Sequence, residues 1–149
     1  MATIVEQQGR DPAEVASRLV ALHRGQREWL DAFAEEFERR RAGATLGRIL
    51  RIWGLSRTEA GEMFGISRQA LSKWLDHGVP SDRAEQVANL SRATDHLVRH
   101  LKEDRIPAVV RTPAPGLGDR RLIEVFAEDG DRAALEAVRA MFAFSDAHA

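Results

Sequence analysis

Ser56 and Ser67 stand eleven residues apart, each opening an amphipathic run, with Gly65 between them. Few folds accommodate that punctuation. Ser56 and Glu59 have the spacing of a capping box, in which the hydroxyl accepts a first-turn N–H and the carboxylate reaches back. The helix begun there is expected to end near Phe64. Gly65 supplies the positive φ of a tight turn, Ile66 plugs the angle, and Ser67 caps a second helix from Arg68 to about Leu75. Two short helices joined by such a turn make a helix-turn-helix, here placed at about Ser56 to Leu75. Gly61, four residues before Gly65, falls where the helices cross too closely for a large side chain. Ala60, Ile66, Leu71 and Trp74 are predicted to face inward.

The outward residues of the second helix are Arg68, Gln69, Ser72 and Lys73, all able to hydrogen-bond to bases or phosphates. Glutamine reads adenine with two bonds, arginine and lysine read guanine, and serine adapts. The N-terminal end of such a helix enters the major groove first, so Gln69 and Ser72 are the expected base readers. Ser67 lies at the entering end, and Arg68 and Lys73 divide between bases and phosphates. Arg57 and Thr58 open the supporting helix, where free N–H groups and the helix dipole favour a phosphate.

Charge is distributed to match. Residues 1–38 hold 4 basic and 8 acidic side chains, residues 39–75 hold 8 and 2, and residues 76–149 hold 10 and 13. A basic block between acidic flanks is the footprint of a nucleic-acid surface.

The remaining segments read as an all-α helical bundle around this motif, in three parts. Residues 1–44 form an N-terminal helical oligomerisation arm. Asp11, Pro12 and Glu14 give a strong helix start. Val15, Leu19, Leu22, Gln26, Trp29, Leu30, Phe33 and Phe37 then recur at helical spacing, in one long helix or two in series about Gly25. Trp29, Leu30, Phe33 and Phe37 make a plausible dimer seam. Ala42-Gly43-Ala44 is expected to interrupt the helix before a short one carrying Leu46, Ile49, Leu50 and Trp53. Residues 45–103 form the DNA-binding domain, closed by a helix that Ser81 caps, with Ala84, Val87, Ala88, Ser91, Thr94, Val98 and Leu101 on one face. Residues 104–149 form a small C-terminal module. Pro107, Pro113, Pro115, Gly116 and Gly118 exclude a regular helix over 105–121, and a final helix spans about Asp131 to Phe144.

The string GLSRTEAGEMFGISRQALSKWLDHGVP resembles the Xre-like helix-turn-helix of bacterial and phage repressors. The stretch from Val109 to Phe126 resembles the toxin-binding domain of Xre/MbcA/ParS-type antitoxins, through Arg111-Thr112-Pro113, Leu117 and Gly118 at the family's intervals. The order of elements also matches, so the resemblance covers about residues 45–145. It implies a protein that binds its operator as an oligomer and represses its own operon. It also implies that Arg111, Thr112, Pro113, Leu117 and Gly118 contact a RES-domain toxin that consumes NAD. The alternative is a stand-alone helix-turn-helix regulator with no toxin.

Other chemistry is weakly signalled. His96, His100 and Asp104 are spaced by four on a predicted helix, as metal ligands can be, yet solvated helix histidines are far commoner and no metal is expected. No nucleophile arrangement, carboxylate pair or dinucleotide loop is recognisable, so neither enzyme activity nor a cofactor is expected. The absence of cysteine suits a reducing cytoplasm. MATIVEQQGR lacks a leader's apolar run, and no stretch approaches the roughly 18–20 apolar residues of a membrane span.

Overall fold

The computed structural model describes residues 11–147, so the leader-free reading of the first ten residues lies outside it. The architecture is all-α. Its helices are α1 (Pro12–Leu22), α2 (Arg27–Trp53), α3 (Arg57–Phe64), α4 (Arg68–His77), α5 (Ala84–His100), α6 (Ile106–Arg111), α7 (Leu122–Asp129) and α8 (Asp131–Ala147). No strand occurs among the described residues, only an isolated bridge between Ala114 and Arg120. None of these helices is long and apolar enough to cross a membrane. The chain divides into two units, residues 1–37 and 38–149, with the division falling inside α2.

In the first unit, the Asp11 carboxylate accepts from Ala13 N–H at 3.1 Å with Pro12 in the first turn, as the sequence predicts, while Glu14, expected to close a capping box, pairs instead with Arg18 at 2.8 Å. Gly25, at φ +96°, separates α1 from α2, so the series of two helices is the one that forms. No residue of α1 is buried. Trp29, Phe33 and Phe37 retain 39, 42 and 57 % of their exposure, whereas Leu30 is half-buried. Their rings form a ladder with His23: centroids are 3.4 Å apart for His23–Trp29, 5.4 Å for Trp29–Phe33 and 6.4 Å for Phe33–Phe37.

The second unit holds the core. Leu46, Ile49, Trp53, Ala60, Leu71, Val79, Leu90, Leu97, Ile106, Val110, Leu122 and Val138 are buried in one cluster. The segments expected as a DNA-binding domain and a C-terminal module share it, and Phe64 of α3 meets both Trp74 of α4 and Phe126 of α7 edge-on, at 5.5 and 5.0 Å. Trp53 donates its indole N–H to the Thr94 hydroxyl at 2.9 Å, and that hydroxyl donates to Leu90 O at 2.8 Å, so both buried polar groups are satisfied.

Three sequence expectations change, and one helix beyond those expected forms. Residues 42–44 do not interrupt α2. Gly43 is small because α4 passes against it: a Cβ there would lie 2.6 Å from Trp74 O. Residues 105–121 do contain a helix, α6, because Pro107 falls in its first turn, where a missing N–H costs nothing. The segment 122–129 forms α7, started by Glu124 reaching back to Arg121 N–H at 2.8 Å and ended by Gly130 at φ +98°. Finally, α5 begins at Ala84 after a 3-10 turn over Ser81–Arg83, and its buried face is Val87, Asn89, Leu90, Ala93, Thr94 and Leu97, with Val98 exposed. Trp53 draws the face toward Thr94, and Asn89 bonds Asp131 of α8 at 2.6 Å. Two neighbours rotate the stripe away from the single-faced pattern.

Candidate nucleic-acid interface

The α3–α4 pair is assembled from the features that predicted it. Glu59 N–H donates to the Ser56 hydroxyl at 3.1 Å, and Ser56 N–H to the Glu59 carboxylate at 2.8 Å, completing the capping box. Gly65 takes φ +68°, which only glycine adopts without strain. Ile66 is half-buried in the turn. Ser67 accepts from Ala70 N–H at 3.0 Å and so starts α4. A Cβ at Gly61 would lie 2.8 Å from Ile66 O, so the turn's backbone occupies the space where a side chain would be.

With Ala60, Leu71 and Trp74 turned into the core, α4 must present its other face outward. Arg68, Gln69 and Lys73 are exposed and Ser72 half-buried; Arg68, Gln69 and Ser72 border one shallow depression. Arg57 and Thr58 are exposed at the start of α3. One contact was not foreseen: Arg57 donates to the Ser72 hydroxyl at 2.9 Å, tying the expected phosphate anchor to an expected base reader. Ser67, by contrast, has its oxygen engaged in the cap. Arg57, Arg68 and Lys73 form no ion pair among the described residues, whereas Arg48 pairs with Asp95 at 3.1 Å and Arg41 with Glu38 at 3.8 Å.

The residues singled out in the C-terminal segment do not share one surface role. Thr112, Pro113 and Gly118 are exposed, but Leu117 is buried in the core. Arg111 is turned inward, donating to Trp53 O at 3.0 Å, Gly54 O at 2.6 Å and the Glu59 carboxylate at 3.2 Å. It closes the C-terminal end of α2 and braces the capping box of α3. Glu59 is consequently more acidic than an ordinary glutamate: the bond from Ser56 N–H lowers its pKa most and Arg111 lowers it further, against partial burial. One structural residue, Arg83, escaped sequence reasoning, as did the partners of Arg111. Arg83 donates to Phe64 O at 3.1 Å and sits 5.6 Å from the centre of the Trp74 ring, closing the end of α3. The Arg111 partners lie 52 to 58 residues away in sequence, a distance no local pattern reports.

His100 stacks on Phe142 at 4.3 Å and its Nδ1 lies 2.9 Å from His96 O. Among the described residues, no group of three acidic, histidine or cysteine side chains is placed to hold a metal ion. Comparison with protein-family models, with curated proteins and with solved structures finds no match.

Proposed function

We propose that this chain is a sequence-specific DNA-binding transcriptional repressor acting as a homodimer. The observation that carries the reading is the outer face of α4, where Arg68, Gln69, Ser72 and Lys73 are grouped behind a capped N-terminus with their cations unpaired. Gln69 and Ser72 read bases, Arg68 and Lys73 serve bases and phosphates, and Arg57 and Thr58 hold a phosphate at the start of α3. The exposed ladder of Trp29, Phe33 and Phe37 is a patch of the kind that pairs two copies. Two-fold pairing would make the operator pseudo-palindromic, with half-sites about one helical turn apart.

The test is selection of operators from random duplex DNA, followed by titration of Gln69→Ala. That variant should lose roughly 1–3 kcal/mol of preference for the selected base while keeping its affinity for unselected DNA. Failure of the unaltered chain to enrich any sequence refutes the reading.

A second reading adds neutralisation of a RES-type toxin, and it is favoured by the exposed turn carrying Thr112, Pro113 and Gly118. Arg111 and Leu117 would act there by shaping the turn rather than by touching a partner. Unchanged activity of a toxin encoded beside this gene, with the chain present in excess, removes that role and leaves the stand-alone regulator.

A further inference from the structure

Beside the reading helix lies an open groove whose lining includes Gly43, Gly47, Gly54, Leu75, Arg51 and Arg57, and no carboxylate. Residues 39–57 contain six arginines and no acidic side chain. Of those in the groove, Arg51 is exposed and enters no ion pair among the described residues, and Arg57 donates only to a neutral hydroxyl, that of Ser72 at 2.9 Å. Both charges therefore stand unneutralised along one channel.

The glycines separate into two kinds. Gly43 is required by packing, since a Cβ there would strike Trp74 O at 2.6 Å; at Gly47 a Cβ would meet only Leu75 Cδ2, at 3.8 Å. The fold has room for a side chain at 47, so its absence leaves backbone open to a close approach from outside. Leu50, Leu55 and Leu75 give the groove apolar surface as well. A free inorganic anion has no use for that surface, whereas the sugar-phosphate strand of a duplex presents deoxyribose C–H groups between its charges. The groove includes Arg57, the first residue of α3, where backbone N–H groups lack acceptors within the helix.

We infer that this groove seats one sugar-phosphate strand flanking the bases read by α4, with Arg51 holding a phosphate beyond those held by Arg57 and Thr58. The inference rests on the DNA-binding reading proposed above. It gives the protein a longer footprint than α4 alone and a contact that positions without reading sequence.

The test uses the full chain and an operator selected from random DNA, with affinity measured by fluorescence anisotropy across a salt series. Arg51→Ala should weaken every sequence alike, by roughly fivefold near 0.15 M salt, and should flatten the slope of log K against log [salt] by about one. Gly47→Gln, which fills the groove with a neutral side chain on a helix that tolerates it, should weaken binding at least as much, with the thermal transition not lowered. Gln69→Ala serves as the control for the reading helix. If Gln69→Ala relaxes base preference while Arg51→Ala and Gly47→Gln keep the unaltered affinity and salt slope, the groove assignment is overturned and the α4 reading stands. If the unaltered chain selects no DNA, both fall together.

Discussion

Arg111 ties three elements together, and its removal should be measurable as lost stability. In Arg111→Met the aliphatic stem remains while the guanidinium leaves Trp53 O, Gly54 O and the Glu59 carboxylate. The two carbonyls lie at the end of α2, where no helical N–H is available to replace the donor. With the Arg111 side chain 30 % exposed, water can reach the vacated positions in part. Each charge-assisted bond is then worth about 1–1.5 kcal/mol net. The Glu59 side chain is 42 % exposed, so the ion pair adds only about 0.5 kcal/mol after solvent screening. The sum is about 3 kcal/mol, which for a unit of this size lowers the melting temperature by about 10 °C. Arg111→Lys should recover less than half, because one ammonium cannot span all three acceptors. Thermal unfolding followed by circular dichroism reads the effect; a transition for Arg111→Met within about 2 °C of the unaltered protein would refute the account. The Glu59 contribution has a predictable pH sense. Its folded pKa is depressed, so its stabilisation is complete above the ordinary value of 4.5 and is lost as the pH falls through the folded value. The stability difference between the unaltered chain and Glu59→Gln should therefore be constant near neutrality and shrink below about pH 4.5; an increase on acidification would contradict the assigned sign.

Two helical glycines should respond oppositely to alanine. Gly61→Ala forces a Cβ against Ile66 O and should cost about 1–3 kcal/mol in denaturant titration, whereas Gly47→Ala meets only ordinary contact and should gain up to about 1 kcal/mol from helix propensity. Trp53→Phe removes the buried donor to Thr94 and should destabilise by about 1–3 kcal/mol in the same assay; a neutral outcome would mean Thr94 finds another partner. If the exposed ladder pairs two copies as proposed, replacing Trp29, Phe33 and Phe37 together by serine should lower the mass in light scattering from dimer to monomer with helicity retained, and an unchanged mass would refute pairing through this surface.

The helix-turn-helix was readable because every feature that makes it is local. Ser56 reaches Glu59, Ser67 reaches Ala70, and Gly65 closes the turn between them, all within a few residues. Its candidate DNA face followed by subtraction, since Ala60, Leu71 and Trp74 had to be inside. Where the reading failed, one residue type had two physical uses. Gly43 reads in sequence as a helix interruption, because glycine breaks helices; its real constraint is Trp74 O, thirty-one residues on, and close approach leaves the same letter in the sequence as chain reversal. Pro107 reads as a helix breaker, although a first-turn proline is compatible with the helix it opens. In α5 the sequence pattern shows one face, and the structure gives the helix two neighbours, at Thr94 and at Asn89.

Arg111 shows the deeper limit. Its chemistry, a planar donor suited to carbonyls and carboxylates, is equally suited to a partner's surface and to the end of α2. The fold brings α6 against Gly54, where Pro107 Cβ lies 3.2 Å from the position of a Gly54 Cβ, and so gives the guanidinium partners within the chain. The same contact links the C-terminal segment to the proposed DNA-reading pair of helices. The Glu59 carboxylate that Arg111 grips also caps Ser56 N–H, and Ser56 begins the helix that carries Arg57 and Thr58. A perturbation of the turn at Thr112 and Pro113 therefore has a short route, through the Arg111 guanidinium and one carboxylate, to the start of α3, where a phosphate is proposed to sit.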